Sequence, residues 1–263
     1  MARISVLIGI YNCAPTLPEA LDSLYTQTFQ DFKIILCDDG SLDNTYEIAK
    51  EYAARHDNII LISNGENKGL NYTLNHCLEY ADTEYCARMD GDDISLPTRF
   101  EKEINFLDTH PEYAIVSCPM QYFDDSGVFR VGKEEGEPDI NSFVKESPFN
   151  HAPCIVRTEA YKKVGGYSVS PKLLRVEDYH LWVKLYSSGY RGYNVPECLY
   201  MMRDDRNAAN RRTWNARKNE MYVKFLCMKL LNIPWYYGIY IFKPLIAYLM
   251  PTCLYRIIHR QFL

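Results

Sequence analysis

The stretch Tyr85-Cys86-Ala87-Arg88-Met89-Asp90-Gly91-Asp92-Asp93 passes from an apolar-leaning run into three carboxylates within four residues, and Leu96-Pro97 follows shortly after. It reads as a buried strand ending in acids, then a turn, then a helix that opens near Pro97. Clustered carboxylates repel one another, and a cation offsets that repulsion. Oxygen ligands of this kind suit a hard divalent ion, Mg2+ or Mn2+. Taken alone, Asp-x-Asp-Asp equally describes a solvated acidic turn.

The chain upstream repeats one pattern. Ile4–Ile10 is a short run of branched apolar residues, a buried parallel strand, and Tyr11-Asn12 ends it. Thr16-Leu17-Pro18-Glu19 fits a capping box and opens a helix to about Thr28. Phe32–Cys37 is a second strand, ending in Asp38-Asp39-Gly40-Ser41, with a helix over roughly 44–55 after it. Asn58–Ser63 is a third strand. Asn64-Gly65 and Lys68-Gly69 mark a loop, and Leu70–Tyr80 is helical with Leu70, Leu74 and Leu78 on one face. Strands alternating with helices in units of about 25–30 residues define a doubly wound α/β sheet. Such sheets bind ligands at the carboxyl ends of their strands. Tyr11, Asp39 and Asp90–Asp93 all fall on that edge. There is no Gly-x-Gly-x-x-Gly after the first strand and no Gly-x-x-x-x-Gly-Lys-Ser/Thr anywhere. A nucleotide, if one binds here, must be held through its base, its ribose and a metal on its phosphates.

Beyond Pro111 the pattern changes. Ala114–Cys118 is a strand, Gln121–Gly132 a hairpin turning at Asp124-Asp125-Ser126-Gly127, and Lys133–Asp139 a polar loop. Cys154–Val156 is a further strand, and Glu159–Val164 a short helix stopped by Gly165-Gly166. Glu177-Asp178 precedes a helical run with Leu181, Trp182 and Leu185 in register. Asp178 suits either an N-cap or, paired with Glu177, general-base work; a helix N-terminus serves both by holding the carboxylate rigidly.

The totals set bounds. A chain of 263 residues, 47% hydrophobic and 24% charged, is long enough for one large domain with a sizeable core. From Arg203 onward 11 Lys+Arg face 3 Asp+Glu; the remainder carries 18 against 31. An acidic body with a basic tail points to an anionic surface as partner. Apolar residues interleaved with those cations favour a membrane surface over nucleic acid. Nine cysteines, without a Cys-x-x-Cys pair or zinc spacing, fit buried thiols in a reducing compartment. With strand-like sequence from Ile4 and no signal peptide, a cytoplasmic location is expected. Ile233–Phe242 and Pro244–Tyr255 are apolar runs of 10 and 12 residues split by Lys243. They are short of a span of about 20 residues. The segment 230–263 reads as lying on the inner leaflet; the competing reading is a cover for a homodimer or for the domain itself.

These residues together resemble family 2 glycosyltransferases of the GT-A fold. The motifs stand in that family's order: Ile4–Asn12, Cys37-Asp38-Asp39-Gly40-Ser41, Asn67-Lys68-Gly69 with Leu74-Asn75, Asp90-Gly91-Asp92-Asp93, Val164-Gly165-Gly166-Tyr167 and Glu177-Asp178-Tyr179-His180-Leu181-Trp182. Gly91 replaces the family's frequent Ala. The resemblance implies one mixed, mostly parallel sheet flanked by helices. It places a catalytic domain at 1–205, with 1–110 as its nucleotide-sugar half and 111–205 as its acceptor half. A helical membrane-associating tail follows at 206–263. It also implies roles. Tyr11 and Asn12 meet the nucleotide, Tyr11 by stacking on the base. Asp39 accepts from a uracil or thymine N–H, and Lys68 lies at the same site. Asp90 contacts the ribose or the ion, Asp92 ligates the metal, and Asp93 is structural. Asp178 is the base, with Glu177 beside it. His151 and Arg203 sit on the acceptor or diphosphate side, and His151 also reads as a structural histidine. The implied reaction is metal-dependent and inverting. It moves a hexose from a nucleotide-diphosphate donor, a UDP-sugar first, to a glycan or polyprenyl-diphosphate-linked acceptor in O-antigen, capsule or similar polysaccharide synthesis.

Three rival functions fit the residues less well. An Asp-x-Asp phosphohydrolase places its pair after the first strand, where Tyr11-Asn12 stand. A sugar nucleotidyltransferase needs a Gly-rich, Arg-containing loop there, and Asn12-Cys13-Ala14-Pro15 is none. A non-catalytic membrane-bound nucleotide-sugar binder would not need Asp39, Asp92 and Asp178 together.

Overall fold

A computed structural model describes residues 2–204 and 213–249. The parts of the expected basic and apolar tail at 206–212 and beyond 249 lie outside the described residues. The main sheet has seven strands in the order β10-β6-β9-β4-β1-β2-β3. These are β1 (Ile4–Ile10), β2 (Phe32–Asp38), β3 (Ile59–Ser63), β4 (Tyr85–Arg88), β6 (Ile115–Ser117), β9 (Ile155–Arg157) and β10 (Gly192–Asn194). β9 runs antiparallel to β4 and β6. Every other pairing is parallel. The sheet is thus mixed and mostly parallel, as expected.

The strands are apolar on both faces because helices cover both. Val6, Ile8, Ile34 and Leu36 pack with α1 (Leu17–Tyr25), α2 (Thr45–Arg55) and α4 (Arg99–Thr109), through Leu21, Ala49 and Phe100 among others. On the opposite face Leu7, Ile35 and Cys37 meet Leu74 of α3 (Leu70–Glu79), Ala160 of α5 (Thr158–Val164) and Trp182 of α6 (Glu177–Ser187). Alternation at period two produces this division. Burial from both sides at about 25 cal/mol per Å² makes this layer the main source of stability. Eight described cysteines are free and six of them are buried, in keeping with their reading as small hydrophobes.

Three expectations are corrected. First, the main sheet is joined by a second one, in the order β5-β11-β7-β8. Its strands are β5 (Ile94–Ser95), β7 (Met120–Asp124), β8 (Gly127–Val131) and β11 (Tyr200–Arg203). Two-residue β5 is too short to show a periodicity. Second, the capping box at Thr16 does not form. The Thr16 hydroxyl donates to the Cys13 and Gly91 carbonyls at 3.2 and 3.3 Å. The helix ends at Tyr25 rather than Thr28, since the Gln27 amide turns to the Leu96 carbonyl at 2.8 Å and Thr28 N–H to that of Pro97 at 2.8 Å. Third, Val176 occupies the N-cap of α6, so Asp178 stands within the first turn and is not the cap.

The helix α7 (Trp214–Leu230) is built into the body rather than set apart from it. Its Val223 and Cys227 join the core. Buried Lys224 reaches a 3-10 turn at Ile140–Val144, donating to the carbonyls of Val144 (3.0 Å) and Lys145 (2.6 Å). A 3-10 run at Trp235–Phe242 and α8 (Lys243–Leu249) follow. No described helix is long and apolar enough to cross a membrane.

Candidate active site

Because β1, β2 and β4 are parallel neighbours, their carboxyl ends set Tyr11, Asp39 and Asp90 along one edge. Tyr11 is 44% exposed, a ring open to a ligand. Asn12 takes a left-handed φ of 49°, which asparagine tolerates. Its amide oxygen accepts from Leu42 N–H at 2.8 Å, and its own N–H donates to Ser41 Oγ at 3.1 Å. Asn12 therefore ties the loops after β1 and β2 together.

Asp39 is only 4% exposed. Its carboxylate accepts from Asn64 Nδ2 (2.8 Å) and from the N–H groups of Lys68 and Gly69 (both 2.9 Å). Three of about four lone-pair sites are thus taken, leaving Oδ2 room for one more donor. Lys68 enters the site through its backbone; its ammonium stands 5.0 Å from the Tyr72 ring centre.

The acid loop is a tight trio. One carboxylate oxygen each from Asp90, Asp92 and Asp93 lies within 4.8 Å of the others. Two are restrained by neighbours. Asp90 pairs with the Arg88 guanidinium, itself buried beneath the loop. Asp93, 2% exposed, accepts from the Tyr200 hydroxyl at 2.9 Å and from Arg203 N–H at 2.8 Å. The exposed Asp92 carboxylate meets only its own backbone N–H and has no side-chain partner among the described residues. Desolvation, then the Asp90 charge, lifts the Asp92 carboxyl above its ordinary range; the same causes, in the same order, lift that of Asp93 further. A divalent cation would remove that repulsion, and all three donors are hard oxygens, so the residues present fit Mg2+ or Mn2+. Arg203 serves the loop too: Nε donates to the Asp92 carbonyl at 3.2 Å, and the guanidinium pairs with Glu19.

Asp178 is half-buried. Burial, then the adjacent Glu177 charge, pushes its carboxyl up to about 6, against the pull of the Tyr179 N–H and the Arg88 charge. Oε2 of Glu177 is buried with no hydrogen-bond partner among the described residues. His151 Nε2 shares a 2.8 Å hydrogen bond with the Tyr167 hydroxyl. Burial and then Arg88 hold its imidazole well below the usual value, so it is neutral at pH 7. His180 is likewise lowered, to about 4, by burial and then Lys184.

Three residues escaped the sequence reading. Arg88 had a signal, a charge inside an apolar strand. Asn64, which bonds both Asp39 and Thr73 Oγ1, had been read only as a loop marker. Tyr200 carried none: it is one apolar-ring residue among 22 tyrosines.

The fold is thus a mixed α/β sheet with an acidic trio at the strand ends and a separate carboxylate, Asp178, on α6. Residues 5–165 match the family described as Glycosyl transferase family 2. The chain belongs to glycosyl transferase family 2 and is an enzyme of that class, a glycosyltransferase. It is 39% identical to EpsE of Bacillus subtilis (strain 168), which bears a glycosyltransferase name, over 98% of this chain and 94% of that one. It is 32% identical to the amylovoran biosynthesis glycosyltransferase AmsE of Erwinia amylovora, over 98% of both. Among solved structures, S. aureus TarS 1-349 in complex with UDP-GlcNAc superposes with a TM-score of 0.71 at 21% identity, over 88% of this chain and 66% of that one. The mannosyltransferase PcManGT from Pyrobaculum calidifontis, in complex with GDP-Man and Mn2+, gives 0.67 at 19%, over 93% and 74%. At those identities the likeness is one of fold.

Proposed function

We infer that the enzyme transfers a hexose, with inversion, from a nucleotide-diphosphate donor to a hydroxyl of a glycan or polyprenyl-diphosphate-linked acceptor in cell-surface polysaccharide synthesis. The observation that carries this reading is the division of acids: a trio at the strand edge, with Asp178 apart on α6 and a carboxyl near 6. Tyr11 stacks on the base, and the free lone pair of Asp39 accepts from its ring N–H, which favours UDP. Asp92, with Asp90, would hold Mn2+ or Mg2+. When bound, that ion supplies Lewis-acid charge to the leaving diphosphate.

Asp178 does the proton work. Its carboxylate takes the proton of the acceptor hydroxyl as that oxygen bonds to the anomeric carbon. The bond from that carbon to the phosphate oxygen breaks, and its electron pair leaves with the nucleoside diphosphate. One displacement inverts the centre, and no glycosyl-enzyme forms. Buried Arg88 keeps Asp90 in place beneath the donor, and neutral His151 lies on the acceptor side.

The exposed apolar residues Trp235 (85%), Ile239, Phe242, Ile246 and Leu249, with Lys243 between them, support an amphipathic seat on the cytoplasmic membrane surface. The test is a screen of UDP-, dTDP- and GDP-sugars with Mn2+, read by donor hydrolysis and thermal shift. No shift and no hydrolysis with any donor overturns the reading.

A further inference from the structure

A cleft of about 820 Å³ opens between the β7–β8 hairpin and the segment 142–148, and its lining plays no part in the roles assigned above. Its size falls within the roughly 300–1,000 Å³ typical of small-molecule sites. Asn194, the last residue of β10, lies on its wall. That strand is parallel to β6, and both share the direction of β4, so Asn194 stands on the same sheet edge as Asp39 and Asp90.

The two walls connect to the two halves of the chemistry. One wall carries Tyr122 and Arg130 of the β7–β8 hairpin. β7 pairs with β11, setting Tyr122 opposite Met202 and Phe123 opposite Arg203, whose N–H holds Asp93. The other wall carries Ser142, Glu146 and Ser147. Phe143, next to Ser142, accepts through its carbonyl from the hydroxyl of Tyr179, the neighbour of Asp178. One wall of the cleft is thus tied to the acid loop and the other to the helix that carries Asp178.

Its chemistry is that of a hydroxyl-rich, uncharged ligand. The Arg130 guanidinium lies 3.5 Å from the centre of the Tyr122 ring, a stack that holds its donor fork flat. Neither Arg130 nor Glu146 forms a salt bridge among the described residues, and Glu146 feels the Lys224 ammonium only at longer range. Donors and acceptors thus stand free in one cleft. Arg130 and Lys133 are outnumbered by Glu134, Glu135 and Glu146, so charge does not select an anion. Asn194 is 3% exposed and donates through Nδ2 to the Pro148 carbonyl at 3.1 Å, while its Oδ1 lacks a donor among the described residues. An unmet buried acceptor is unfavourable, and a ligand hydroxyl that reached it would relieve that cost.

We propose that this cleft binds the sugar of the acceptor, with Arg130, Glu146 and Asn194 reading its hydroxyls. The proposal rests on the glycosyltransferase reading and adds the acceptor's place. It also sets that sugar near the aromatic face, because Lys145, on the same strap as Ser142, lies 5.7 and 5.5 Å from the rings of Tyr237 and Tyr240. A glycan on a lipid anchor would meet the cleft from that side.

The experiment uses the full chain with UDP and Mn2+ and, as probes, the methyl β-glycosides of glucose, galactose and N-acetylglucosamine, read by saturation-transfer NMR. At least one glycoside gives a signal that weakens about tenfold in affinity in both Arg130→Ala and Glu146→Ala, a change of roughly 1.4 kcal/mol. Both side chains lie at the cleft surface, and the thermal shift from UDP with Mn2+ stays as in the parent. Unchanged glycoside signals in both variants, or none with any probe, overturn the cleft assignment and leave the donor site standing. Absence of any UDP shift in the parent chain overturns both.

Discussion

The Tyr200 hydroxyl is the pin of the acid loop: it donates to Asp93 Oδ2 at 2.9 Å and accepts from Asp90 N–H at 3.2 Å. One oxygen on β11 thereby fixes the residues on both sides of Asp92. Tyr200→Phe keeps the ring and removes both bonds. Stability to urea should fall by about 1–3 kcal/mol, since the Asp93 acceptor stays buried. The apparent Kd for Mn2+ should rise while UDP binding without metal is retained. A metal titration equal to the parent's would show that the pin is dispensable.

Asp178 sets the acid limb of the rate. Its carboxyl titrates near 6, so kcat/KM should fall about tenfold per unit as pH drops below that value. The same shift acts on stability with the opposite preference. The folded carboxyl lies above the unfolded value of about 3.9, so the folded state binds the proton more tightly and stability declines as pH rises from about 4 to 6. Asp178→Asn should therefore lose about 10²–10⁴ in kcat, keep donor affinity, and match or exceed the parent's Tm at pH 7. A variant that turns over normally sinks the role of base.

Asp92 is the acid left free to ligate. Asp92→Ala should fold as the parent does, because its carboxylate supports nothing among the described residues. It should lose the Tm increase that Mn2+ gives in the presence of UDP. Excess EDTA should reduce the parent to the variant's rate, and full activity in EDTA would refute metal dependence.

The apolar face at Trp235 and Ile239 predicts affinity for anionic vesicles. Trp235→Ser with Ile239→Ser should release the chain from phosphatidylglycerol liposomes in a flotation assay, with donor hydrolysis in solution unchanged. Equal flotation would favour a packing role for that face.

Much of this arrangement could be read from residues in a line. β1, β2 and β4 are apolar on both faces, so their runs were plain, and parallel order alone brought Tyr11, Asp39 and Asp90 to one edge. Partnerships were not legible. Nothing near Asp39 in sequence announces that Asn64, Lys68 and Gly69 surround its carboxylate, because those bonds depend on how the loop after β3 folds back. Thr16 looked like a cap by residue type, yet its hydroxyl found carbonyls closer to hand. The separation of Asp90, Asp92 and Asp93 into restrained and free acids depends on Arg88 beneath and Tyr200 from a strand 107 residues beyond Asp93. Of the second sheet only the β7–β8 hairpin is legible, because β5 and β11 are two and four residues long and their pairing joins distant parts of the chain.

The buried ammonium of Lys224 bears on how the chain can be shortened. It holds the carbonyls of Val144 and Lys145, while Val223 and Cys227 on the same helix fill the core. Deleting everything after residue 205 to discard a membrane tail would also withdraw the prop behind the strap at 140–148 and open a hole under α6. A cut just beyond Ile233 would spare Lys224 and Cys227 but still strip Tyr237, Tyr240 and Ile241 from the core they pack against.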